Sequence, residues 1–170
     1  MVKGRLQRWA THALTTPMSL RRAFPPATLA ELRAAISAAE AGHGGEIRFV
    51  IESALPWAHL RRNAPVRHRA LELFSRLRVW DTEHNNGVLI YVGLADRAVE
   101  ILADRGVANR VPEATWDAIC SRMRDRFRAG DFEQGAVAAV GEVGALLKQL
   151  FPLAPGETRH NELPDRPIVL

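Results

Sequence analysis

Apolar residues recur at helical spacing in some stretches of the chain and crowd into strand-length runs in others. Leu6, Trp9, Ala10 and Ala13 fall on one face of a short basic segment that also carries Val2, Lys3, Arg5 and Arg8, the pattern of an amphipathic helix. Thr15, Thr16, Pro17, Pro25 and Pro26 interrupt it. A second helix is expected from Thr28, where Thr28 and Glu31 have capping-box spacing and Leu29, Leu32, Ile36 and Ala39 form the inner stripe. Glycines 42, 44 and 45 end that helix. Glu46 to Ser53 is strand-like, rich in β-branched and aromatic residues.

Pro65 to Val79 reads as a helix with Val66, Ala70, Leu73 and Leu77 inward, and with Arg67, Arg69, Arg76 and Arg78 on a solvated face. Val88–Leu94 and Val99–Ala103 are two more strands, joined by the Ala95-Asp96-Arg97 turn. Pro112 opens a helix lined by Trp116, Ile119, Met123 and Phe127. Asp131 with Gln134 offers a second capping-box-like start, to a helix running through Val137, Val140, Gly144, Leu147 and Leu150. Gly135, Gly141 and Gly144 weaken that helix intrinsically and predict close packing of its face. Beyond Pro152 the chain is polar and proline-rich, an extended tail wrapping the domain.

This order predicts an α/β fold, a three-layer α/β/α sandwich around a short mixed sheet. The strand–helix–strand crossover makes strands one and two parallel, and the short turn makes strands two and three an antiparallel hairpin. The domain spans 28–151, with a basic arm at 1–27 and the tail at 152–170. A hydrophobic content of 47% over 170 residues supplies a sizeable core and excludes disorder. With only one cysteine, Cys120, no intrachain disulfide can form. No run of about 18 apolar residues occurs, so no membrane-spanning helix is expected. Met1–Ala13 has no continuous apolar core, so no secretory signal is expected and the compartment is read as cytoplasmic, at the inner membrane face if the arm contacts lipid. The net charge of +4 favours anionic partners weakly, and scattered basic residues with 6% aromatics argue against nucleic acid.

Topology brings Glu46, Asn86 and Asp104 to one edge, because strands one and two begin there and strand three ends there. The 80–86 loop adds Asp81. Glu46, Asp81, Asn86 and Asp104 are therefore the candidate ligands for a hard cation, calcium or magnesium. A solvated loop whose Asp and Asn residues merely cap turns explains the same residues. His84 is the candidate proton-transfer group. The loop is no EF-hand, since Asn86 and Val92 stand where glycine and glutamate are required. Cys120 and Arg126 have the spacing of cysteine phosphatases, but the apolar stripe places Cys120 within a helix, where its amides cannot converge on phosphate. No nucleotide-binding motif occurs, so no nucleotide cofactor is expected.

Asn86-Gly87-Val88-Leu89-Ile90-Tyr91-Val92, Ala95-Asp96-Arg97, Val99-Glu100-Ile101, Asp104-Arg105-Gly106-Val107 and Phe127 to Gly135 resemble the TPM-domain family. Gly45-Glu46-Ile47 and Asn161 to Pro167 resemble its bacterial branch. The resemblance implies the same sandwich; some members are described as weak acid phosphatases, some bind calcium, and others act through protein interaction. The expected function is a binding or accessory protein with a protein partner and a divalent-cation site. The alternatives are a weak metal-assisted phosphomonoesterase and a peripheral membrane protein held by residues 1–22.

Overall fold

Strand β1 (Glu46–Glu52) is completely buried and forms the spine of the sheet in the computed structural model, which describes residues 4–170. It pairs in parallel with β2 (Gly87–Gly93), from Glu46 opposite Gly87 to Glu52 opposite Gly93. Strand β3 (Ala98–Ala103) returns antiparallel to β2. A fourth strand, β4 (Ile168–Val169), comes from the tail and lies parallel on the other side of β1, giving the order β3-β2-β1-β4. The sequence pattern predicts the first three strands and misses β4, which is too short to show a period.

Alternation along the strands sorts the core into two layers. Ile47, Phe49, Ile51, Val88, Ile90, Val92, Val99 and Ile101 face helices α3 (Pro26–Glu40), α7 (Glu113–Arg128) and α8 (Phe132–Leu150). Val50, Leu89, Tyr91 and Leu102 face α5 (Val66–Arg76) and Leu163 of the tail. Short helices complete the fold: α1 (Arg5–Leu14) and α2 (Pro17–Ala23) before α3, α4 (Trp57–Arg61) after β1, and α6 (Arg105–Ala108) after β3. Leu20 and Phe24, from α2 and its end, are buried in the main core.

Both predicted capping boxes are absent. α3 begins at Pro26, and the Thr28 hydroxyl, inside the first turn, donates to Glu133 at 2.6 Å. Asp131 precedes α8 without a side-chain cap. Proline at the first helical position already supplies the right φ and removes an orphan donor, so α3 needs no cap from Thr28. Gly144 and Gly135 pack as expected: a Cβ on Gly144 would stand 2.8 Å from Cβ of Ala39, and one on Gly135 2.9 Å from Cβ of Arg126. Gly141 has open space around it and serves no packing.

Within the arm, α1 docks chiefly by polar contacts, while Leu20 and Phe24 in and after α2 carry the apolar docking. Leu6 is 87% exposed, while Trp9 meets Trp57 edge-on at 4.4 Å. Arg8 grips Asp96 with two bonds of 3.0 and 3.1 Å and also donates to Asn63 and Ala64. Buried His12 accepts from the Leu55 amide through Nδ1 and places Nε2 3.1 Å from Asp96. Val2 and Lys3 lie outside the described residues.

Candidate functional site

The rim predicted from topology exists, and two further loops complete it. Gly87 must lack a side chain, since a Cβ would sit 2.0 Å from the Val79 carbonyl oxygen. Gly106 is constrained likewise by the Asn85 carbonyl at 2.5 Å. These approaches press the 79–86 loop against the start of β2 and the end of β3. The Asp104 amide donates to the Gly87 carbonyl at 2.9 Å, and the Glu46 amide to that of Asn86 at 3.3 Å.

The predicted residues meet different fates there. Asp104 caps α6, with Oδ1 accepting from Arg105 at 2.7 Å, while its Oδ2 is buried without a hydrogen-bond partner. Asn86 is buried; its amide nitrogen donates to the Gly44 carbonyl at 2.7 Å and its Oδ1 has no partner. Asp81 turns outward, 2.8 Å from Arg78. His84 is 64% exposed, with Glu83 4.0 Å away. Among the described residues, no group of three or more His, Cys, Asp or Glu side chains is placed to hold a metal.

Glu46 is occupied by the tail. Its carboxylate accepts from the amides of Glu162 and Leu163 at 3.1 and 3.2 Å and from Arg159 at 3.1 Å. Arg159 also binds Glu40, whose other oxygen accepts from the Ile47 amide at 2.6 Å. One guanidinium thus serves two buried carboxylates. Burial raises both acids above the usual carboxylate range, Glu40 to about 8, with Glu46 adding to the rise and Arg159 opposing it. His43 lies beside them, fully buried, its Nδ1 accepting from Gly45 at 3.0 Å. Burial, reinforced by Arg159, pulls its pKa down to about 4, so the ring is neutral at pH 7. Arg48 clamps the carbonyls of Pro164 and Arg166, and Glu162 accepts from the Glu83 amide at 3.0 Å.

A second polar cluster lies at the other end of β1, on the sheet face that also carries Glu46 and Arg48. Arg69, expected on a solvated surface, is buried and forks onto Glu52 at 2.7 to 3.2 Å. Tyr91 donates to the same carboxylate at 2.7 Å, and burial next to Glu52 drives its phenol pKa upward. Cys120 lies inside α7, where burial pushes the thiol up to about 11 and keeps it protonated.

An α/β/α sandwich with a mixed four-stranded sheet, tail-clasped at its rim, is the class of protein these features define. The TPM-domain family model matches residues 20–146, and the chain belongs to that family. Its structure is similar to that of the BA42 protein from the psychrophilic bacterium Bizionia argentinensis, with 29% identity, a TM-score of 0.73, and coverage of 85% of this chain and 93% of that one. It also resembles the N-terminal domain of a P. gingivalis protein in fold, at 24% identity and a TM-score of 0.59 over 81% of each chain. No curated protein matches the chain. Among the described residues, no helix is long and apolar enough to cross a membrane.

Proposed function

We propose that this TPM-domain chain is a binding or accessory protein whose rim takes a hard divalent cation, calcium or magnesium, and presents it to a protein partner. The observation that carries this reading is the pair of buried acceptor oxygens, Asn86 Oδ1 and Asp104 Oδ2, that make no hydrogen bond. Buried oxygens are normally satisfied, and an unsatisfied pair on adjacent strand ends suits an ion that prefers carboxylate and amide oxygen. Glu46 and Asp81 are committed to the tail and to Arg78, so water would complete the shell. The cation would offset the charge of Asp104 and leave open coordination positions for an acidic group of the partner.

Thermal unfolding with and without about 1 mM calcium tests this, because a ligand of the native state raises its stability by mass action. Asp104→Asn keeps an oxygen to cap α6 but removes the carboxylate charge, so the rise should vanish in that variant. An unchanged midpoint in the wild type, or an equal rise in both proteins, would sink the reading.

A second reading is peripheral membrane contact through the arm. Leu6, Leu14 and Met18 are 87, 78 and 67% exposed; Leu6, Ala10 and Leu14 share one face of α1, and Arg5 of α1 and Arg21 and Arg22 of α2 are exposed as well. Apolar residues flanked by arginines suit an anionic bilayer surface. Co-sedimentation with phosphatidylglycerol vesicles should be lost in the Leu6→Glu/Leu14→Glu variant; undiminished binding excludes this contact.

A further inference from the structure

The tail holds its groove by contacts that any copy of the same tail could make. Arg159 bonds the buried carboxylates of Glu40 and Glu46, and the amides of Glu162 and Leu163 donate to Glu46 at 3.1 and 3.2 Å. Arg48 clamps the carbonyls of Pro164 and Arg166, and Val50 and Ile51 pair with Ile168 and Val169. Little apolar surface is involved: within 159–170, Leu163 and Pro167 are the buried residues. The groove, by contrast, demands an occupant, because Glu40 and Glu46 are fully buried and Arg159 is the guanidinium that pairs with them.

The connection to the tail is loosely tied to the fold. Residues 154–158 are all exposed. Their hydrogen bonds among the described residues close a single turn: the Glu157 amide donates to the Ala154 carbonyl at 2.9 Å, and the Ala154 amide to the Glu157 carboxylate at 2.8 Å. Gly156 holds that turn with a φ of 84°. Both ends of the connection are pinned at the rim, where the Gly44 amide donates to the Phe151 carbonyl at 3.0 Å and Arg159 reaches Glu40. The turn therefore folds the chain back on itself. Straightened, five residues span about 17 Å, enough to carry the tail out of its own groove and into one that faces it.

We infer that the tail is an exchangeable strand, and that two copies of this chain form a reciprocal dimer in which each Arg159 sits between Glu40 and Glu46 of the other copy. Charge complementarity and strand pairing select this occupant, since a second copy brings the same guanidinium, amides and carbonyls in the same register. Closed monomer and exchanged dimer contain identical clasps, so they differ in the hinge and in the entropy of association. A short connection gives the chain's own tail an effective concentration in the millimolar range. Exchange therefore competes as the protein approaches about 1 mM. Opening a clasp strips two buried carboxylates of their cation, so a dimer once formed persists on dilution. The inference is independent of the cation reading, which rests on Asn86 and Asp104.

The test is a disulfide trap in the full chain. Ser53→Cys/Leu170→Cys places thiols at two positions already joined by the 2.9 Å bond from the Ser53 amide to the Leu170 carbonyl. Cys120, buried in α7, stays out of the reaction. The variant is refolded from urea under reducing conditions at about 20 µM and about 1 mM, either side of the tail's effective concentration, then brought to one concentration and oxidised. A closed clasp gives a bridged monomer, and an exchanged clasp gives a covalent dimer. The ratio of dimer to monomer should be about tenfold or more higher after refolding at the higher concentration. Adding Gly156→Ala strains the turn at its positive φ while its Cβ meets no neighbour, so it should raise the ratio about tenfold again. Bridged monomer alone at both concentrations overturns the inference. So does a dimer equally abundant in Ser53→Cys alone, or one that Gly156→Ala leaves unchanged. Sedimentation velocity of the unmodified chain refolded at about 1 mM needs no bridge: a dimer is expected there, and monomer throughout overturns the inference.

Discussion

Glu52 is 3% exposed, yet it carries a charge in the middle of the protein. It persists because Arg69 and Tyr91 together occupy its oxygens. Removing one member of such a group leaves the others desolvated and unpaired, whereas removing both charges does not. Glu52→Leu should therefore cost about 3–5 kcal/mol in urea denaturation. The double variant Glu52→Leu/Arg69→Met should recover much of that loss. Recovery of nothing would mean that Glu72, already 3.0 Å from Arg69, is a sufficient partner for it. His43 sets a different dependence. Its folded pKa of about 4 lies below the ordinary 6.5, so the unfolded chain binds the extra proton between those values. Its contribution is present above pH 6.5 and is lost as pH falls toward 4, about 3 kcal/mol in all. Glu40 acts in the opposite sense: its folded value, about 8, lies above 4.5, so its contribution is present below pH 4.5 and is lost as pH rises through 8. Replacing His43 with asparagine should flatten the acid limb of stability between pH 6.5 and 4. Replacing Glu40 with glutamine should flatten the decline from pH 4.5 to 8. Denaturation midpoints measured across pH 4–9 check both.

At the scale of elements, the strands and long helices were legible because their periods repeat over several residues. Strand direction then followed from connection length, which is why Glu46, Asn86 and Asp104 could be placed on one rim. What each residue does there was not legible. Glu46 is claimed by Arg159, Glu162 and Leu163, more than a hundred residues away, and no local pattern encodes such a contact. Arg69 misled for a related reason: it lies at the inward spacing, three residues after Val66 and four before Leu73, but its charge reads as solvated until Glu52 on β1 and Glu72 on α5 are seen to pair with it. In α1 the relation is reversed: Leu6 of the apolar stripe is exposed while Arg8 supplies the grip. The tail also covers the flank of β1, where the Leu170 amide donates to Ile51 and the Ser53 amide to Leu170. Deleting 158–170 should uncover that strand edge and strand Glu46 without its donors. A loss of about 3–5 kcal/mol is expected for the orphaned carboxylate. Self-association should appear in sedimentation velocity, since a bare edge is a template for pairing. A stable monomer after deletion would show that β4 is dispensable.

Across the whole molecule, helices on one face and α5 with the tail on the other leave the two ends of the sheet as its polar surfaces. The rim gathers the openings of β1 and β2; the β2–β3 turn lies past their closings. Both ends are reached by the same strand, β2, which starts at Gly87 against the Val79 carbonyl and finishes at Gly93 beside the Tyr91 ring. Seven residues of strand separate them, about 20 Å at the usual rise. Hydrogen-bonded on both flanks and wholly buried, β2 is a stiff spacer with no room to slide. Changes made at its two ends should be thermodynamically deaf to each other. In Asp104→Asn/Arg124→Gln the stability changes should sum to within about 0.5 kcal/mol, and calcium added at the rim should leave the amide resonances of the 93–98 turn where they were.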